Sequence, residues 1–161
     1  MSGTWRLPDT QGWVELGPCP EAQHRLCGIL VGFDGDHAAR DFIHPDFRSW
    51  GELACGSEIV LSAEHYPMAD VWRGQVYQRS EGRIVDAELK LTSPRTLDVL
   101  LYEGANLDEG VSLAIFAALG SPPDLIDLGD YGLRVIMGRE LFGQSQIWRQ
   151  SALPDTMACP P

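Results

Sequence analysis

Lysine is nearly absent from this chain of 161 residues, and Lys90 is its single copy. Schiff-base chemistry would have to use that one side chain. Lys90 stands in the alternation Val85-Asp86-Ala87-Glu88-Leu89-Lys90-Leu91, on the side shared with Asp86 and Glu88. The strand period turns that side to solvent. Basic residues are few altogether: 12 against 23 acidic ones, for a net charge of −11. Such a chain repels phosphate backbones, which excludes ordinary nucleic-acid binding. Long hydrophobic runs are missing too. The most apolar run, Val111 to Leu119, is too short to span a bilayer. No Cys-x-x-Cys occurs, so a zinc site would need unusual spacing, and His24 between Cys19 and Cys27 gives it weak support. Neither Ser, Cys nor a second His stands at a spacing that makes a catalytic triad readable. There are no internal repeats. Met1-Ser2-Gly3 runs straight into the first strand motif, which fits either a cytoplasmic chain or a mature form with an added Met.

What is present is strand pattern. Gly3-Thr4-Trp5 opens the chain and Trp148-Arg149 stands near its end. A closed antiparallel barrel needs such residues where its first and last strands meet. Gly3 permits a tight bend, Trp5 can plug the barrel's end, and Arg149 can lay its guanidinium over an indole. Between them, strands are expected at Trp13-Val14-Glu15-Leu16, Leu26 to Phe33, Glu58 to Leu61, Val71 to Tyr77, Arg83 to Thr92, Thr96 to Glu103 and Phe142 to Arg149. Turn residues such as Ser80-Glu81-Gly82 and Ser93-Pro94-Arg95 separate neighbours. A meander of this kind predicts an up-and-down barrel or a sandwich.

Two stretches interrupt the meander. From about Asp34 to Cys55 the chain reads as a long structured loop with one helical turn. From about Ala105 to Glu140 it reads as an insertion. Asp108-Glu109 favours a helix start there, Val111 to Leu119 supplies an apolar helix, and Gly120 with Pro122-Pro123 ends it. A further strand is expected at Leu133 to Met137. The domain reading is therefore one barrel over 1–150, with 105–140 inserted, and a tail over 151–161 that is loose unless Cys159 is tied down.

The residues together resemble an uncharacterised bacterial family, the domain-of-unknown-function 2147 family, grouped with the lipocalin-like or calycin barrels. The matching pieces are Gly3-Thr4-Trp5, Val14-Glu15-Leu16 with Pro18-Cys19, and Leu26-Cys27-Gly28-Ile29. Then come Asp41-x-x-His44-Pro45-Asp46, Ala54-Cys55-Gly56 and Trp72-x-Gly74-x-Val76-Tyr77. Gly82, Leu97-x-Val99 and Leu141-Phe142-Gly143-Gln144-x-Gln146-x-Trp148-Arg149 complete the order. The resemblance implies an all-β, lipocalin-like antiparallel barrel of about eight strands with one accessory helix. It also implies export to the periplasm or envelope, and it implies no catalytic residues. The chain departs from the family in two ways. His44 stands where Asn is usual, and residues 105–140 stand where the family passes almost directly to the final strand.

Several candidate sites follow. Cys19 and Cys27 flank the mouth of a hairpin and can form a bridge worth roughly 2–3 kcal/mol, or remain as reduced core thiols. Cys55 and Cys159 can pin the tail. Asp41, His44, Asp46 and Arg48 lie close together, with Phe42 and Phe47 interleaved. Such a set reads either as a hydrolase-type constellation of Asp41, His44 and Asp46 or as a structured loop in which Asp46 caps a turn. Asp34-Gly35-Asp36-His37 resembles part of a calcium loop, but the later ligands do not follow in register, so a solvated turn is expected. No metal site and no cofactor are assigned. The barrel interior is the binding candidate. Val85, Ala87, Leu89 and Leu91 share one strand face, with Trp72, Gly74 and Val76 on the neighbouring strand. Phe116 of the inserted helix and Gln144, on the face shared with Gln146 and Trp148, are the remaining expected contacts. The interior is either filled by its own side chains or holds one small apolar molecule. The 111–119 helix reads as barrel packing, as a lid, or as a surface for a protein partner, a second copy or a membrane. The leading expectation is a non-catalytic envelope protein that binds a small molecule. A protein-interaction module and then an enzyme follow as alternatives.

Overall fold

The computed structural model describes residues 1–8, 12–103 and 143–160. The helix expected at 111–119, its Phe116 and the strand expected at Leu133 to Met137 lie outside these residues. Eight strands close into one antiparallel barrel in chain order. They are β1 (Gly3–Arg6), β2 (Gly12–Pro18), β3 (Arg25–Phe33), β4 (Glu58–Tyr66), β5 (Val71–Gln78), β6 (Arg83–Ser93), β7 (Thr96–Tyr102) and β8 (Gln144–Gln150). Each strand pairs with its sequence neighbour, and β1 pairs with β8 through Trp5 opposite Gln150 and Arg6 opposite Arg149. Closure leaves no open sheet edge.

The alternation in the sequence sets the inside and outside of this barrel. On β7, Leu97, Val99 and Leu101 are buried while Asp98 and Leu100 are half-buried on the other face. Val85, Ala87 and Leu89 of β6 face the same core, and Lys90 is exposed. Glu88 is the departure. It lies on the face expected to meet water, yet it is 7% exposed. Arg73, directly across on β5, donates to its carboxylate at 3.0 Å and also stacks over Tyr66. A long cationic side chain covers the acid and compensates its desolvation.

The meeting of first and last strands uses most of the expected residues in altered roles. Trp5 and Trp148 are each 1% exposed and both belong to the core. The Trp5 indole donates to the Met1 carbonyl at 3.2 Å. Gly3 takes φ +134°, and a Cβ there would stand 2.9 Å from the Gln150 amide nitrogen. Arg149 does not form the expected stack: the strand alternation puts Trp148 inside and leaves Arg149 exposed. The guanidinium-over-indole contact belongs to Arg6, 5.5 Å from the ring of Trp13 across the β1–β2 ladder.

Both bridges form, Cys19 to Cys27 and Cys55 to Cys159. The second ties down the tail. After β8 the Ser151 amide bonds the Thr4 carbonyl, residues Asp155–Met157 make a 3-10 turn, and Ala158 bridges Gly32. The Cys159 amide then bonds the Val31 carbonyl. The tail is thus a strap that contacts β1 and then β3 from outside. Gly32 is required by this approach, because a Cβ there would meet the Met157 carbonyl and lie 2.5 Å from Leu153 Cδ1.

Candidate functional site

One end of the barrel is packed solid. Ala63, Ala87, Leu89, Leu97 and Val99 are each 0% exposed. The other end is hollow, with a cavity of about 780 Å³. Leu30, Ile59, Val76, Leu101 and Trp148 supply its apolar wall. Gln78, Gln144 and Gln146 bring carboxamides into it, and the Trp148 indole donates to Gln146 Oε1 at 3.3 Å. A smaller polar cleft of about 370 Å³ adjoins the cavity and shares Gln78, Leu101 and Gln144 with it. Arg83, Val85 and Glu103 line that cleft, and Arg83 is ion-paired to Glu81 and Glu103.

Among the described residues, two connections line most of the rim. The first is the β3–β4 connection, residues 34–57, which includes the expected helical turn at Phe47–Ser49. It folds on itself: Asp41 N bonds Glu52 O, Ala54 N bonds Ala39 O, and Arg40 bridges Leu53. Its end is anchored by Cys55. The second is the β5–β6 turn, where Gly82 takes φ +64° with the Ile43 carbonyl packed against it. Arg40 to Ile43 from the first and Arg79 to Glu81 from the second line the mouth.

A buried polar cluster joins the two connections. Asp41 is 6% exposed, and its Oδ2 accepts from the Tyr77 hydroxyl at 2.6 Å while Oδ1 accepts from Ile43 N at 2.9 Å. Arg79 Nε stands 3.7 Å from Oδ2. Burial alone would push the Asp41 carboxyl up; the Tyr77 bond, the Ile43 amide, Arg79 and His44 outweigh it and hold the pKa below 3.8. Tyr77 moves the other way. Burial, then its bond to the Asp41 carboxylate, raises the phenol above 10.0. His44 lies 4.5 Å from the Tyr77 ring, centroid to centroid.

The structure divides the residues expected to act together. Asp41 is committed to Tyr77 and Arg79. Asp46 Oδ1 caps the 3-10 turn by accepting from Arg48 N, and His44 Nδ1 accepts from Asp46 N at 3.0 Å. Each of the three side chains thus has its own hydrogen-bond partner, and none bonds another of the three directly, although His44 stands near enough to Asp41 to help lower its pKa. Asp36 likewise accepts from Ala38 N, and the His37 ring nitrogen sits 3.0 Å from the Phe33 carbonyl, as a solvated turn would have it. Among the described residues, no group of three His, Cys, Asp or Glu side chains is placed to hold a metal. Of the expected interior contacts, Val76 and Gln144 line the cavity and Val85 lines the adjoining cleft. Ala87 and Leu89 are in the solid core. Leu91 is 42% exposed, and Trp72 packs at the core's margin with its ring 5.0 Å from that of His65. Tyr77, Gln78 and Arg79 were not expected as site residues. Continuing the β5 alternation past Val76 would have placed Gln78 inside. Nothing local marks Tyr77, whose partner is 36 residues away.

The comparisons agree with this architecture. Among solved structures the chain is similar to protein HP1028 from the human pathogen Helicobacter pylori, described as belonging to the lipocalin family. The TM-score is 0.62 at 11% identity, over 96% of this chain and 84% of that one. No family model and no curated protein matches the chain. The fold is therefore lipocalin-like.

Proposed function

We propose that this protein is a non-catalytic binding protein of the bacterial envelope, taking a small, mainly apolar molecule into the open end of its barrel. The cavity of about 780 Å³ carries this reading. It falls within the roughly 300–1,000 Å³ of small-molecule sites, and it has their usual make-up of apolar walls with a few polar groups. Val76, Leu101 and Trp148 would contact the ligand body, and Gln78, Gln144 and Gln146 its polar end. Val85 would meet any part that extends into the adjoining cleft. The two disulfides support an oxidising compartment. The ordered motifs support a distant place in the domain-of-unknown-function 2147 family.

The reading is tested with an apolar fluorescent probe, N-phenyl-1-naphthylamine, added to the full chain. Binding in the micromolar range is expected, and Leu101→Trp, which fills the cavity from one wall, should weaken it by roughly tenfold or more. An unresponsive probe, or equal uptake by the filled variant, would exclude the cavity as the site.

A further inference from the structure

The rim of the cavity carries an exposed apolar surface that ligand binding inside the barrel does not require. Among the described residues, five of the ten exposed large hydrophobic side chains fall between residues 42 and 53: Phe42, Ile43, Phe47, Trp50 and Leu53. Phe47 is 73% exposed and Trp50 55%. The loop holds them outward by its own hydrogen bonds, including Trp50 Nε1 to the His44 carbonyl at 2.8 Å. Phe42 and Ile43 also line the cavity, so the exposed apolar surface includes part of the cavity's mouth. The charge pattern is as telling. The chain carries −11, yet the solvent-facing charges of residues 40–53 are Arg40, Asp46, Arg48 and Glu52, which cancel. Asp41, the remaining acid of the segment, is buried against Tyr77 and Arg79.

We infer that the open end of the barrel docks on a lipid surface, with Phe42, Phe47 and Trp50 in the headgroup boundary. Aromatic rings of this kind favour that layer, and exposed apolar patches continuous with a ligand groove mark interaction surfaces. A neutral aromatic tip on an acidic body fits a zwitterionic surface, whereas a strongly anionic one would repel the body. The inference builds on the binding reading in one respect: a docked mouth lets an apolar ligand pass between bilayer and cavity without crossing water.

The test uses the full chain and phosphatidylcholine vesicles in a flotation assay, with brominated lipids to quench tryptophan. Wild type should float with the vesicles, with little dependence on salt, and Trp50→Phe should remove most of the quenching. Phe42→Ser/Phe47→Ser/Trp50→Ser should partition roughly tenfold more weakly or worse. Phe47→Ser alone, at a side chain too exposed to affect folding, should give a smaller loss in the same direction. Wild type staying in the soluble fraction overturns the inference, as does a triple variant that floats unchanged. A triple variant that turns a dimer into a monomer, with no lipid binding by either form, also overturns it and assigns the surface to a second copy. Leu101→Trp separates the two proposals: it should lose the probe and keep the vesicles. Probe uptake without vesicle binding would remove the docking and leave the binding reading intact.

Discussion

Tyr77→Phe removes the hydroxyl that donates to the buried Asp41 Oδ2 and leaves that carboxylate short of a donor. The expected cost is about 1–3 kcal/mol, read from urea melts at neutral pH. The same bond makes stability depend on pH from both sides. Asp41 titrates below its ordinary 3.8 when folded, so its contribution is complete above that value and is lost as pH falls through the lowered pKa. Tyr77 titrates above its ordinary 10.0, so its contribution is complete below pH 10 and is lost as pH rises beyond it. Asp41→Asn should flatten the acid limb of a stability profile, and a variant profile that still tracks wild type there would count against this assignment. At this scale the sequence was least legible. Asp41 stood out as chemistry-bearing, but the neighbours expected for it were His44 and Asp46. Their short local bonds to the loop backbone compete with any side-chain convergence, while Tyr77 arrives from a distant strand. Arg149 misled for a simpler reason. Period-two geometry cannot put Trp148 and Arg149 on one face, and the stacking arginine is Arg6, directly opposite Trp13.

Among the elements, the strands were legible and the strap was not. Each strand advertises itself by alternation or by a continuous apolar run between turns, a signal held in a few consecutive residues. The strap holds no such signal. Its order comes from Gly32, Val31 and Cys55, all more than a hundred residues upstream, and only Cys159 hinted at it. Two variants weigh its contribution. Gly32→Val should force Leu153 and the Met157 carbonyl off the sheet, costing about 1–3 kcal/mol. Cys55→Ser/Cys159→Ser opens a span of 104 residues, and on the chain-entropy model it should cost about 4–5 kcal/mol. Cys19→Ser/Cys27→Ser opens a span of 8 and should cost about 2.5 kcal/mol. Equal losses for the two pairs, measured by denaturant unfolding, would mean that strap docking and not covalent closure holds the rim.

For the whole molecule, the closed barrel follows from eight short strands in sequential order, and the order of motifs carried that much. Whether the interior is hollow did not follow, because it depends on how strand tilt divides side chains between two ends. Val85, Ala87 and Leu89 share one face of one strand and one core, yet Val85 also lines the polar cleft and the other two do not. A hollow end makes a prediction about stability. A ligand that occupies it at a hundred times its Kd should raise the unfolding free energy by about 2.7 kcal/mol. A thermal melt with and without the bound probe checks this, and no shift at saturation would argue against occupancy of the folded barrel.

The spacing of the two disulfides also sets an order of events in biosynthesis. Cys19 and Cys27 can pair as soon as one hairpin has emerged, because both sit within its span. Cys55 must wait through β4 to β8 for Cys159, which follows the last of these strands. Domains form as the chain emerges, so the first bond can close while synthesis continues and the second only on a finished barrel. Until then Cys55 is a thiol beside an unsecured rim, and an oxidase that acts too early has only the wrong partners to offer it.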